Sequence, residues 1–202
     1  INDWPDNTRR GFFDSFHGKS WTHPFRLSMV DLETRLKLNE YVYAPENDPY
    51  VAGEDWYMPY PQGSSDALKE LMDACRRNRV RFTWCVRPDA EYSWSDTDFS
   101  LLLGKFEIMY FLGVRSFGVF FDDIPYSDGL EEKKKAVIDR LNSDFVARKK
   151  DVGPLLVSTE GYYVPDYGQE SVKLGLYGTA DRAWNAGAFE PMVSLEWATE
   201  EL

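Results

Sequence analysis

Apolar positions along the 202-residue chain follow two alternating rhythms. Short runs rich in β-branched and aromatic residues, such as Leu38 to Tyr43 and Val80 to Val86, read as strands. Between such runs the apolar residues return every three or four positions. Leu68, Leu71, Met72 and Cys75 mark one face of a helix expected over residues 65–79. The expected strands are residues 11–16, 38–43, 80–86, 116–121, 154–159 and 172–177, and the expected helices are 24–37, 65–79, 99–112, 130–149 and 189–201. Regular alternation of this kind is the pattern of βα units on a parallel sheet, curved or closed, rather than of hairpins.

Local signals set the element boundaries. Pro24 suits a first helical turn, Asp98 is the expected N-cap of the helix over 99–112, and Gly113 is its expected stop. The run from Phe117 to Phe121 is apolar on both faces, as a strand between a barrel interior and its helices must be. The aromatic and proline-rich stretch from Ala44 to Ser64 is too long for a plain connection and is a candidate functional loop. Val137, Ile138, Leu141 and Phe145 give the helix over 130–149 its buried stripe, so the charges from Glu131 to Lys135 read as its solvated start.

Composition narrows the partners. A net charge of −11 argues against nucleic acid and against an anionic membrane surface, and favours a neutral partner. Apolar runs fall short of the roughly 20 residues of a membrane span, which speaks against membrane insertion. The opening Ile1-Asn2-Asp3-Trp4-Pro5 does not read as a signal peptide, and a start without Met suggests processing or excision from a longer protein. Two cysteines, Cys75 on an expected helix and Cys85 on an expected strand, make no disulfide framework and read as buried thiols. Nothing in the length demands more than one domain over residues 1–202.

Active sites of parallel α/β folds gather where strands end, so polar residues directly after apolar strand cores are the first candidates for chemistry. Asp122 and Asp123 fit that rule. Adjacent carboxylates push each other's pKa values apart, leaving one ionised and one able to carry a proton, as general acid catalysis on a glycosidic oxygen requires. An equally simple use is structural: one Asp caps the next turn and the other pairs with a base. His17 and His23 stand near a strand end and a helix start, without a third ligand at a recognisable spacing. No metal and no cofactor are expected.

The segment Arg115-Ser116-Phe117-Gly118-Val119-Phe120-Phe121-Asp122-Asp123-Ile124 resembles the catalytic strand of glycoside hydrolase family 84, which includes bacterial O-GlcNAcases and clostridial hyaluronidases. Further segments agree in order. Asp14-Ser15-Phe16-His17-Gly18 with Trp21-Thr22-His23 resembles the first strand and loop of that family, and Leu38 to Pro45 with Asp48-Pro49-Tyr50 resembles its second. Thr159-Glu160 resembles the end of the fifth strand, and Ala183-Trp184-Asn185 a strand-end motif near the end of the barrel. The resemblance implies an α/β, TIM-barrel-like (β/α) domain, shortened to about six βα units.

It also implies a β-N-acetylglucosaminidase that releases terminal N-acetylglucosamine, with retention, from a glycan or glycoprotein. The substrate's own acetamido oxygen would attack the anomeric carbon, a route outside the usual two-carboxylate scheme. By that likeness Asp122 would orient the acetamide, Asp123 would act as general acid and then base, and Asn185 would bind a sugar hydroxyl. Trp56, Tyr57 and Tyr60 could stack on a sugar ring or fold their loop onto the barrel. Bacterial members of the family are often exported, so the implied setting is extracellular or periplasmic.

Departures from the family pattern fall on its substrate-contact positions. Glu46 replaces a lysine, which puts an anion where it should weaken the original contact or repel the aspartate pair. Ser15 replaces a glycine, His17 a tyrosine, and Gly161 a tyrosine that contacts the acetamide. The sixth and seventh βα units are missing, so the barrel must close on fewer strands, stay open, or borrow surface. An open edge invites self-association. The alternative implied is a catalytically impaired relative that binds glycan or protein, or a fragment of a split or engineered enzyme.

Overall fold

Five strands lie side by side in chain order: β1 (Gly11–Asp14), β2 (Glu40–Tyr43), β3 (Arg81–Val86), β4 (Ser116–Val119) and β5 (Leu156–Ser158). All four pairings among them are parallel, and the sheet curls into a half-barrel. Helices α1 (His23–Arg35), α2 (Gln62–Arg77), α3 (Asp96–Leu112) and α4 (Leu130–Asp144) make the crossovers. The structure, a computed structural model, describes residues 9–15, 19–89, 91–121, 124–125, 127–158 and 177–179.

Strand residues alternate between two cores because successive side chains point to opposite faces of a sheet. Tyr41, Tyr43, Phe82, Trp84, Val86, Phe117 and Val119 pack outward against the helices. Their helical partners include Leu68, Leu71 and Cys75 of α2, Leu102, Phe106 and Met109 of α3, and Ile138 and Leu141 of α4. The residues between them, Val42, Ala44, Cys85, Phe120 and Leu156, turn inward with Phe13. Gly118 shows how tight that interior is: a Cβ there would lie 2.5 Å from the Cys85 sulfur. The two cysteines therefore sit on opposite faces of the sheet, and neither is in a disulfide.

The outer core is aromatic at its centre. Trp84, Phe106, Phe117 and Phe145 interlock, with Phe106 stacked on Phe117 at 5.2 Å and Phe145 meeting Phe117 edge-on at 4.9 Å. Such arrangements add about 0.5–1.5 kcal/mol per pair beyond area burial. Among the described residues no helix is long and apolar enough to cross a membrane.

Several boundaries differ from the sequence expectation. Helix α2 starts three residues early, at Gln62, because Pro61 lacks the N–H that would need a partner there and sets the entry. Helix α3 is capped by Ser95, not Asp98. The Ser95 hydroxyl accepts the Asp98 N–H at 3.1 Å, while the Asp98 carboxylate accepts the N–H and hydroxyl of Ser93. Helix α4 ends at Asp144, and a 3-10 turn at Val146–Arg148 replaces its expected last turn. A short sixth strand, β6 (Tyr177–Thr179), pairs with β5, but antiparallel. A parallel sixth unit needs a crossover of a dozen or more residues, usually helical, whereas an antiparallel partner needs only a chain reversal. The expected helix over 189–201 lies outside the described residues.

Candidate active site

The carboxyl edge of the half-barrel is built by the residues that follow each strand. The ladder continues one step beyond the strands: Ala44 N–H donates to Asp14 O at 3.1 Å and Phe120 N–H to Val86 O at 2.9 Å. Directly after β3 comes Arg87, whose N–H donates to Val51 O at 2.7 Å and so ties the loop after β2 to the edge. Its guanidinium reaches over the sheet. Nη2 donates to Ser15 Oγ at 2.5 Å, Nη1 lies 3.5 Å from Glu46 Oε1, and the charge sits 5.5 Å from the centre of the Phe120 ring.

Ser15 follows β1 and Arg87 follows β3, and Ala44, which follows the intervening β2, is buried in the interior. Arg87 is only 4% exposed, whereas Glu46 is 23% exposed, so the carboxylate is the partly accessible member of the pair and the guanidinium the buried one. Fully desolvated charge is tolerated only where it is paired and hydrogen-bonded, and Arg87 meets both conditions.

Two other carboxylates near this edge are committed to the fold. Asp14 is buried and accepts from Arg26 Nε at 2.6 Å and the Tyr41 hydroxyl at 2.9 Å, joining β1 to α1 and β2. Asp48 accepts from the Tyr43 and Tyr60 hydroxyls at 2.7 and 2.8 Å and from Tyr50 N–H at 2.9 Å. Burial and the neighbouring Asp48 push the Tyr43 and Tyr60 hydroxyls well above their usual range, so both stay neutral donors. Beneath that loop Lys105 is fully buried, gripping the Met58 carbonyl with the rings of Tyr60, Trp84 and Tyr50 at 4.7, 5.5 and 5.7 Å. Desolvation lowers its pKa to about 8 despite the pull of Asp48.

The long loop thus folds onto the barrel. Trp56 is 4% exposed within the outer core, Tyr60 packs against that core, and Tyr57 remains at the surface. His23 lies 2.8 Å from Glu70 as a surface pair. Among the described residues no group of three or more His, Cys, Asp or Glu is placed to hold a metal ion.

Of the residues expected from sequence, Ser15 and Glu46 meet on one side chain, Arg87. Glu46 therefore faces a cation, and the charge introduced at that position is compensated from the next strand. Asp122, Asp123, Gly161, Asn185 and His17 lie outside the described residues. Arg87 itself was missed, although it is the polar residue directly after the apolar strand Phe82 to Val86, the same signal that singled out Asp122.

Comparison with known proteins agrees with this architecture. The profile of the beta-N-acetylglucosaminidase family matches residues 10–175. The chain is 28% identical over 118 residues to the protein O-GlcNAcases of Rattus norvegicus and Mus musculus, an alignment covering 58% of this chain and 13% of either relative. The solved structure of CpGH84B superposes with a TM-score of 0.72 at 32% identity, over 77% of this chain and 28% of that one. A mutant of the Thermobaculum terrenum O-GlcNAc hydrolase superposes with a TM-score of 0.68 at 25% identity, over 75% of this chain and 35% of its own. The chain thus spans well under half the length of each relative. It belongs to the β-N-acetylglucosaminidase family, glycoside hydrolase family 84.

Proposed function

We propose that this chain carries the catalytic part of a retaining, substrate-assisted β-N-acetylglucosaminidase acting on terminal N-acetylglucosamine of a glycan or glycoprotein. The observation that carries the reading is the position of the aspartate pair in the chain. In sequence Asp122 and Asp123 directly follow Phe120 and Phe121, two buried residues after β4 at the carboxyl edge, and the Phe120 ring lies 5.5 Å from the Arg87 guanidinium. Asp122 orients the acetamide so that its oxygen attacks the anomeric carbon. Asp123 protonates the departing oxygen and then takes a proton from the water that opens the oxazoline. Gly161 and Asn185 complete the sugar contacts in this reading.

Hydrolysis of a chromogenic N-acetylglucosaminide by the wild type and by Asp123→Asn tests it. We expect loss of at least a hundredfold in kcat in the variant, and an alkaline limb in the wild-type rate where the general acid deprotonates. Equal rates in the two would sink the catalytic reading. Sugar binding without turnover would then favour the second reading, a glycan-binding relative.

A further inference from the structure

We infer that Arg87 is a substrate-positioning residue, which holds Glu46 and Ser15 as a neutral polar wall on which the Glu46 carboxylate accepts a sugar hydroxyl. The inference rests on the proposed sugar site and adds a residue and a recognition chemistry to it. A guanidinium has five donors in a fixed planar fork and no acceptor; a carboxylate has acceptors alone. In this chain the fork is buried and spans the ends of three strands. One arm donates to Ser15 after β1, the other faces Glu46 after β2, and the stem leaves β3 with Phe120 of the next strand below the charge.

The division of exposure assigns the roles. Arg87, at 4%, is too enclosed to meet a ligand, and Glu46, at 23%, is the member of the pair that remains accessible. A carboxylate without a cation beside it at that edge would repel any further acid there and would swing freely. Paired with Arg87 it is fixed in direction and its charge is cancelled locally, so the wall favours neutral hydroxyls over anionic substituents. Arg87 therefore acts through Glu46 and Ser15.

The test measures kcat and KM for 4-nitrophenyl N-acetyl-β-D-glucosaminide with the wild type, Arg87→Lys, Arg87→Met and Glu46→Gln, alongside thermal melts. We expect KM to rise about tenfold or more in Glu46→Gln and Arg87→Met with kcat changed by less than about threefold, because a contact made alike in ground and transition states moves KM alone. Arg87→Lys, which keeps the cation, should restore KM to within about threefold of wild type. An unchanged KM in Glu46→Gln, or no difference between the lysine and methionine variants when both fold, overturns the inference while leaving the hydrolase reading intact. If Arg87→Met fails to fold, Glu46→Gln and Arg87→Lys decide the matter. If the wild type shows no turnover, the hydrolase reading fails by itself, and binding of N-acetylglucosamine by ligand-observed NMR to wild type and Glu46→Gln replaces the kinetics. Weaker binding in the variant supports the wall; equal binding, or none to either, overturns it.

Discussion

The two ends of the half-barrel hold charged networks made of the same residue types, arranged to opposite effect. At the amino edge Glu40 is 1% exposed and fully engaged: the Arg9 fork grips it, Thr83 Oγ1 donates to it at 2.6 Å, and Arg81 stands 3.7 Å away. Thr83 in turn meets Ser116 at 2.9 Å, so the network crosses three strands as a closed polar layer. At the carboxyl edge Arg87 spans as many strands, but its anionic partner is left partly open. In one network the carboxylate is enclosed by its cations; in the other the cation is buried and the carboxylate stays partly accessible. Barrel enzymes concentrate chemistry at the carboxyl edge and stability at the amino edge, and the contrast in exposure is how that division is written here.

The comparison also decides what to make of a cavity of about 630 Å³ at the amino edge, lined by Arg9, Arg81, Arg115 and Asp151 among others. Its guanidinium groups are already matched, Arg9 and Arg81 to Glu40, Arg115 to Asp151 and Arg76 to Asp73. A concavity whose charges are spent on holding strand starts together is a structural feature, and its size alone does not make it a site.

The strongest way to break the comparison is Glu40→Ala. It leaves Arg9 without its carboxylate and Thr83 with Ser116 as its remaining acceptor, and removal of one partner of a buried ion pair costs about 3 kcal/mol or more. For a chain of this length that is roughly a 6–12 °C fall in Tm, read by thermal denaturation. A fall under about 2 °C would show the amino-edge network to be as dispensable as a surface pair.

The second test concerns a carboxyl held near that edge with its proton on. Glu33 of α1 is fully buried; one oxygen accepts Phe12 N–H at 2.8 Å and the other has no hydrogen-bond partner. Burial, aided by the charge of Glu40, pushes its pKa up to about 8. The folded state thus keeps a proton that the unfolded chain loses above its ordinary value near 4.5. This raised pKa makes the wild type lose stability as pH rises from about 4.5 to about 8, with no further loss beyond. Glu33→Gln keeps the acceptor for Phe12 and cannot ionise. The amide's own unpaired donors cost about 1–2 kcal/mol at every pH, so the variant should lie below the wild type near pH 4 and gain on it steadily as pH rises toward 8. Parallel melts at both pH values check this, and a constant offset between the two proteins would refute the buried proton.

Much of this organisation was legible in the chain because its signals are local. The stripe Leu68, Leu71, Met72 and Cys75 is buried on α2, and the two-faced run supplies β4, which ends two residues early at Val119, with Phe120 and Phe121 following it into the two cores. The cap of α3 was misassigned because Ser95, Asp96 and Asp98 all qualify by residue type; the spacing Ser95-x-x-Asp98 was the signal that separates them. The site was legible only in parts. Ser15 and Glu46 stood out by likeness to a family, but Arg87 acquires its meaning from partners 72 and 41 residues away in the chain. Strand register brings those together, and register is a property of the whole sheet rather than of any segment.

The smallest expected change is also the one that separates the two edges most sharply. Ser15→Ala removes one hydrogen bond to Arg87 and leaves Glu46, which is 23% exposed, in place. The net loss for such a bond is about 0.5–1.5 kcal/mol, and the neighbouring carboxylate and water bring it to the lower end, a Tm change of roughly 1–3 °C. If the carboxyl-edge network exists to present Glu46, the same substitution lets the guanidinium fork turn and moves KM by more than so small a stability change accounts for, about threefold to tenfold. A matched alanine at the other end, Thr83→Ala, provides the control. Thr83 is buried between Glu40 and Ser116, so its loss should lower Tm more than Ser15→Ala does while leaving KM unchanged. Stability and KM responding in opposite order at the two edges would fix the division of labour in numbers. A larger KM effect from Thr83 would mean that the amino-edge layer, too, is coupled to the sugar.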